Sequence, residues 1–283
     1  MIDFAAFLEA LRHPDIPFFR YAFLVGALAS ISFGVVGTYV VARRISYLAG
    51  AIAHCVLGGI GAGLYLQKKV GLAWFDPMFG AVIAALLAAL IIGLVSLHAK
   101  QREDTVIGAL WAVGMATGLL FIAKTPGYVE PMSYLFGNIL LLSKTDLWLV
   151  IGLDLLVLTV AGLFYHQLLA VCFDEEFARL RGLRTDLYIL LLLCLTALTV
   201  VLLVRVVGIV MVIALLTLPA AVAGSWASTL RQMMVGATCG CLIFVTIGLM
   251  ISFQYDLPSG PTIIMVAGLA YLVSLVIKRL AHR

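Results

Sequence analysis

The sequence predicts an all-α membrane protein that crosses the bilayer about nine times, and three observations support this prediction. Of its 283 residues, 64% are hydrophobic and only 11% are charged, and the mean hydropathy is +1.17, far above that of a water-soluble domain. Apolar stretches of about 20 residues, the length that crosses a bilayer as a helix, recur along the chain. The loops between them are short, so we expect a single transmembrane domain over residues 1–283.

Nine stretches are apolar and long enough to be spanning helices. They cover residues 19–41, 46–66, 77–97, 105–123, 146–168, 186–204, 207–224, 232–253 and 262–280. Eight spans are expected instead if one weak stretch re-enters the membrane. Asp3 and Glu9 stand where a secretory signal would carry basic residues, so we expect the first span to stay in the mature chain.

The basic residues indicate which side of the membrane each loop faces. If the N-terminus lies outside and the C-terminus inside, eleven of the eighteen Lys and Arg residues are cytoplasmic. These are Arg43, Arg44, Lys100, Arg102, Arg179, Arg181, Arg184, Arg231, Lys278, Arg279 and Arg283. Because such residues commonly determine topology, the net charge of +4 needs no nucleic-acid partner.

His54 is the first candidate functional residue, because it lies in the second span among Ala, Gly, Leu, Ile, Val and Cys. An ionisable, metal-competent side chain at membrane depth is costly to place and indicates a functional site. The alternative is a histidine that only hydrogen-bonds a neighbouring helix. Cys55 lies about 100° further round the helix, so the two could share a ligand only where the helix unwinds.

Asp154 is a second ionisable residue at membrane depth, in the fifth span. A lone carboxylate in hydrocarbon needs a partner or a water-filled cavity. An Asp and a His together suit a divalent transition metal, because carboxylate and imidazole both bind zinc at about 2 Å. Two interpretations stay open: Asp154 converges with His54, or it contacts a Ser, Thr or Tyr on a neighbouring helix.

Five glycines reduce the bulk of the second span: Gly50, Gly58, Gly59, Gly61 and Gly63. They allow a neighbouring helix to approach closely. They also favour local unwinding, which would turn backbone carbonyls toward a cavity.

A charged segment, CFDEEFARLRGLRTD at residues 172–186, separates the fifth and sixth spans. Acidic residues crowd its start and basic residues its end, which complements the dipole of a short helix. Apolar residues recur at intervals of three to four and give this helix one apolar edge: Phe173, Phe177, Leu180 and Leu183. The segment is either a surface helix without a partner or a docking site for a soluble protein.

Five runs of sequence together carry a family resemblance. They are ARRISYLAGAIAHCVLGGIGAG (42–63), EDTVIGALWAVGMATG (103–118), PMSYLFGNIL (131–140), VVGIVMVIALLTLPAAVA (206–223) and YDLPSGPTIIM (255–265). In order and spacing they resemble the membrane permease of the zinc/manganese ATP-binding-cassette (ABC) importers. The resemblance implies a type II ABC importer-like fold in the bacterial inner membrane.

The resemblance also implies partners and a substrate. A homodimer with its pathway at the dimer interface would receive a divalent metal from an extracytoplasmic metal-binding protein, zinc being expected first and manganese or iron next. A cytoplasmic ABC ATPase subunit would bind and hydrolyse ATP, since this chain has no Gly-x-x-x-x-Gly-Lys-Ser/Thr phosphate loop. The chain itself is expected to be no enzyme and to bind no cofactor.

The charged segment is similar to the coupling helix that such permeases insert into their ATPase subunits. The resemblance places that helix at about residues 172–184. Its expected contacts with the ATPase are Phe173, Glu176, Ala178, Arg179 and Gly182.

One departure from the family pattern affects the expected metal site. The family usually carries Gly-Asp-x-x-Ser/Ala-His, whereas Ala51 stands here at the aspartate position. Asn138 lies where relatives often have an acidic residue, and it is either a neutral oxygen ligand or a cap. The expected pathway residues are His54, Asp154, Asn138 and Cys55. Two alternatives are an ion-gradient-driven secondary metal transporter and an ABC permease for a non-metal substrate.

Overall fold

A computed structural model describes residues 17–98, 103–127, 134, 135, 137 and 142–281, and these form eleven α-helices and one π-helical segment, Leu66–Val70. The α-helices are α1 (Pro17–Ala42), α2 (Ser46–Tyr65), α3 (Pro77–His98), α4 (Glu103–Lys124), α5 (Lys144–Leu163), α6 (Tyr165–Phe173), α7 (Glu175–Leu180), α8 (Thr185–Val207), α9 (Ile209–Gly224), α10 (Leu230–Tyr255) and α11 (Ser259–Ala281).

Eight helices of this described part are long and apolar enough to cross a membrane, namely α1 to α5, α8, α10 and α11. The seventh predicted span corresponds to α9, which is apolar but has only 16 residues. That length is short of the roughly 20 residues that a straight crossing needs. The predicted all-α polytopic architecture is therefore confirmed, and α9 is its weak span.

The fifth predicted span, 146–168, extends past the C-terminal end of the observed helix. α5 stops at Leu163, Phe164 leaves the helical conformation with φ −106° and ψ 20°, and a separate helix begins at Tyr165. At the other end, Ser143 and Asp146 form a reciprocal capping box that fixes where α5 begins. Apolar residues continue across Phe164, so hydropathy alone cannot locate the break.

α2 lies at the centre of a tightly packed group with α3 and α4. Its glycines allow these helices to touch backbone to backbone: a Cβ on Gly58 would lie 2.8 Å from the carbonyl oxygen of Gly114, and one on Gly61 would lie 2.5 Å from that of Gly118. The predicted close approach is confirmed. The predicted unwinding is wrong for this structure, because α2 is one continuous helix through all five glycines.

A second group forms around α1, which packs against α5, α9 and α10, while α11 covers α9 and α10. α8 joins the two groups through contacts with α3, α2 and α9. The loops gather at two opposite ends as the sequence predicts: Arg43 meets Glu175 at one end, and Asp76 and Arg205 line a common cavity at the other.

Candidate functional site

His54 lies in the middle of α2 and is only 8% exposed. Its imidazole stacks on the indole of Trp111 on α4, with ring centroids 4.4 Å apart and planes inclined by 22°. Gly50 makes room for the indole, because a Cβ there would lie 3.0 Å from Cζ3 of Trp111. The Nδ1 atom of His54 is buried and has no hydrogen-bond partner within the described part of the chain. The stack therefore orients the ring, while Nδ1 stays buried and unpaired among the described residues.

The neighbours of His54 on α2 are not arranged as further ligands. The thiol of Cys55 donates a hydrogen bond to the carbonyl of Leu110, 3.2 Å away, and packs against Gly114. Ala51, where the family usually carries an aspartate, is fully buried. Since α2 stays helical here, the local unwinding that a shared His54 and Cys55 ligand set would need is not present.

Asp154 is buried on α5 and contacts a different helix. Its Oδ1 accepts a hydrogen bond from the hydroxyl of Ser32 on α1 at 2.5 Å, while its Oδ2 has no partner among the described residues. α5 packs chiefly on α1, whereas α2 packs chiefly on α3 and α4. The contact of Asp154 is thus with a serine on a neighbouring helix, one of the two interpretations that the sequence left open.

No group of three or more His, Cys, Asp or Glu side chains that could hold a metal ion occurs among the described residues. Asn138 lies outside those residues. Its neighbour Gly137 has φ 63° and packs against the backbone of Val207 and Gly208, where a side chain would not fit. A cavity of about 440 Å³ opens beside it, lined by Ile60, Asp76, Tyr134 and Arg205 among others.

The charged segment forms a short helix as predicted, although α7 has only six residues and is separate from α6. Asp174 caps it, since its Oδ1 accepts a hydrogen bond from the backbone N–H of Phe177 at 2.9 Å. The helix ends in a turn at Gly182, whose φ of 80° favours glycine. Gly182 is held there by backbone conformation, because nothing lies within 4 Å of a Cβ at this position.

Three of the four residues of the predicted apolar edge are exposed, whereas Leu183 is partly buried and packs against the core. Phe173 and Phe177 are exposed, and Leu180 is 88% exposed. Ala178 is buried within the chain, so it supports the helix from inside instead of offering a contact to a partner.

Charged side chains connect α7 to its surroundings. Arg179 reaches Oδ1 of Asp186 at 2.8 Å and the hydroxyl of Thr185 at 3.2 Å, and Arg43 reaches Oε2 of Glu175 at 2.9 Å. Glu176 is exposed.

Sequence reasoning missed Trp111 and the partner of Arg43. Trp111 stands out as the one large aromatic residue in the run EDTVIGALWAVGMATG, which was a usable signal. Arg43 was interpreted only as a topology determinant.

Comparison with known proteins decides the class of the molecule. Residues 15–278 match the ABC 3 transport family. The chain belongs to this family. It is 40% identical over 258 residues to the probable metal transport system membrane protein of Chlamydia pneumoniae, covering 91% of this chain and 88% of the relative. It is 30% identical over 268 residues to the manganese import system permease protein ScaB of Streptococcus gordonii, covering 95% and 93%.

A solved structure resembles the fold over the same extent. PsaBC from Streptococcus pneumoniae, determined in complex with a Fab, matches with a TM-score of 0.82 and 30% identity, over 95% of this chain and 94% of that chain. Together with the eight spanning helices, this match identifies the chain as a multi-pass permease of the bacterial inner membrane. It is a transport subunit and no enzyme, since ATP hydrolysis in this family takes place on a separate subunit.

Proposed function

We propose that the chain is the permease subunit of an ABC importer for a divalent transition metal ion. The observation that carries this proposal is its similarity, over nearly its whole length, to permeases named for metal or manganese transport. A metal-competent histidine in the most buried spanning helix supports it. The proposed partners are a cytoplasmic ABC ATPase subunit and an extracytoplasmic metal-binding protein.

His54 is the proposed contact for the passing ion, ahead of the other candidates. An imidazole binds a first-row metal through a nitrogen lone pair, and Nδ1 of His54 has no competing bond within the described residues. The thiol of Cys55 and one oxygen of Asp154 are already hydrogen-bonded to the protein. A single ligand per chain holds an ion weakly, which suits a pathway that must release it.

Zinc is the proposed preferred ion, and manganese is the second candidate. With Ala51 at the family's aspartate position, the donor that remains is a nitrogen. Imidazole suits zinc, whereas manganese favours carboxylate, carbonyl and water oxygens. The name of the relative ScaB favours manganese instead.

A second copy of the chain is proposed to pack against α4. Only 17% of this helix is buried, and small exposed residues recur every four positions along it: Gly108, Ala112 and Ala116. Small residues at this spacing let two membrane helices approach closely. Because α4 packs on α2 through Gly114 and Gly118, a dimer formed through the opposite face of α4 would place each His54 one helix away from the interface.

Cysteine cross-linking tests this dimer interface. Ala112→Cys should form a disulfide between two copies in membranes, whereas Leu158→Cys, exposed on α5, should not. Equal cross-linking of the two variants would contradict the interface.

The exposed apolar edge of Phe173, Phe177 and Leu180 is the proposed docking surface for the ATPase. Glu176 and Arg179 flank it, and the turn at Gly182 positions it. Leu180→Asp should lower the amount of ATPase that co-purifies, because a charge would replace a buried apolar contact. Arg184→Ala, on the same segment but off this edge, is the control and should retain the ATPase.

Transport by the complete complex tests the proposed function. The permease with its ATPase and binding protein is reconstituted in liposomes, and uptake of radioactive zinc and manganese is measured with each metal competing against the other. The proposal is supported if uptake needs ATP and zinc suppresses manganese uptake more strongly than manganese suppresses zinc uptake. The reverse order selects manganese, the second candidate. Uptake of neither metal, or uptake driven by an ion gradient without ATP, contradicts it.

A further inference from the structure

Arg43 ties the turn between α1 and α2 to the segment that carries α7. Its Nη1 donates a hydrogen bond to the backbone carbonyl of Val171, 2.6 Å away, and its Nη2 lies 2.9 Å from Oε2 of Glu175. The side chains of Arg43 and Glu175 are only 16% and 35% exposed, so solvent screens this pair less than a surface pair. One guanidinium group therefore holds both the end of α6 and the start of α7.

The opposite side of α7 is attached more loosely. Arg179 lies 2.8 Å from Asp186 and 3.5 Å from Glu175, but the side chains of Arg179 and Asp186 are more than half exposed. Exposed ion pairs contribute little to stability. Among the described residues, the firmer ionic attachment of α7 is therefore the one to Arg43.

This attachment lies beside a cavity. Arg43 and Glu175 both line a cavity of about 420 Å³ that extends to Ser96 of α3 and Leu192 of α8. Close-packed side chains resist displacement, because they leave no free volume to move into. A charged link beside a cavity can instead stay intact while α7 shifts.

The turn that Arg43 occupies joins α2, which carries His54, to α1, which contacts Asp154. His54 lies eight residues after Ser46, about 12 Å along α2. α1, on the other side of the turn, carries the Ser32 that hydrogen-bonds Asp154. A displacement of Arg43 is thus applied directly to α1 and α2.

We propose that Arg43 is a positioning residue that transmits movement of α7 to the α1–α2 turn, coupling ATP hydrolysis on the partner subunit to opening of the pathway beside His54. This inference rests on the proposed function, because α7 must be the segment that meets the ATPase. Arg43 acts through Glu175 and the carbonyl of Val171 and touches neither nucleotide nor metal.

Charge reversal at each end of the link tests this role. Arg43→Glu, Glu175→Arg and the double variant are compared in the full complex in liposomes, where ATP hydrolysis and metal uptake are measured on the same sample. Each single reversal should lower uptake about tenfold while ATP hydrolysis stays within about twofold of wild type. The double reversal restores opposite charges but not the bond to Val171, so uptake should recover about threefold over either single variant.

Two further variants keep the test decisive. Asp186→Arg reverses a charge in the exposed pair and should leave uptake within about twofold of wild type. Glu175→Gln keeps the size and one oxygen acceptor, and it replaces the charge reversals if these prevent assembly. It should lower uptake less than they do, again with ATP hydrolysis maintained.

Three results would overturn the proposed role of Arg43. They are unchanged metal uptake in both single variants, a parallel fall of ATP hydrolysis and uptake, and a double variant that takes up no more metal than the single variants. Failure of the wild-type complex to take up metal would instead count against the proposed function.

Discussion

The spanning helices around α2 and the short helix α7 of this permease are held in place in opposite ways. Within the membrane, α2 meets α3 and α4 through glycines, and a single added methyl group would not fit. By contrast, α7 is held by charged side chains beside a cavity. Close packing fixes the first arrangement in one geometry, whereas the second has room to shift. We therefore expect α2, α3 and α4 to move as one unit, and the proposed coupling movement to start at α7.

Breaking the glycine contact should have the largest effect. A Cβ on Gly59 would lie 2.6 Å from the carbonyl carbon of Gly80 and 2.7 Å from the Cβ of Ala84. Gly59→Leu should therefore separate α2 from α3 and destabilise the fold by about 3 kcal/mol or more. The measurement is the yield of monodisperse protein in detergent and its thermal unfolding.

Gly152→Leu is the matched control, because it makes the same change in a spanning helix at a position where nothing lies within 4 Å of the added Cβ. Equal loss of stability in both variants would contradict the account of backbone-to-backbone packing.

The ion pair between the buried Asp146 and the partly exposed Arg205, at the other end of the molecule from α7, should have an intermediate effect. Asp146 lies 3.0 Å from Nε of Arg205 and also accepts a hydrogen bond from the backbone N–H of Ser143. Asp146→Ala removes the ion pair and half of the capping box, so it should cost about 2 kcal/mol. Thermal unfolding of the purified permease measures this loss of stability. A loss of about 0.5 kcal/mol or less, as for an exposed ion pair, would contradict the prediction.

The exposed ion pair between Arg179 on α7 and Asp186 on α8 should have the smallest effect. The side chain of Asp186 is 55% exposed where it meets Arg179. Asp186→Ala should lower stability by about 0.5 kcal/mol or less, because water replaces the lost interaction. A loss as large as that of Asp146→Ala would mean that this end of α7 is firmly attached after all.

Hydropathy predicted the spans well, because every spanning helix must be apolar along its own length whatever its neighbours are. It failed at Phe164, where an apolar run continues through a change of backbone direction. The charge order of residues 174–184 predicted α7 for a similarly local reason, namely that the helix dipole acts within one turn.

The contacts of the candidate site could not be predicted from the sequence, because they depend on how helices rotate against distant partners. His54 meets Trp111, Asp154 meets Ser32, and nothing in the sequence between them specifies those pairs. The glycines of α2 indicated close packing correctly, yet the same residues were also compatible with unwinding. Only the positions of α3 and α4 decide between these two uses.

Metal uptake by a His54 variant tests the central claim most directly. His54→Ala and the control His166→Ala, a second histidine exposed on α6, are assembled with the ATPase and binding protein in liposomes. Radioactive zinc and manganese uptake is then measured at equal amounts of complex. If His54 contacts the passing ion, His54→Ala should lower uptake about tenfold or more while His166→Ala transports normally. Undiminished transport by His54→Ala would show that the residue only packs against Trp111 and that the pathway lies elsewhere.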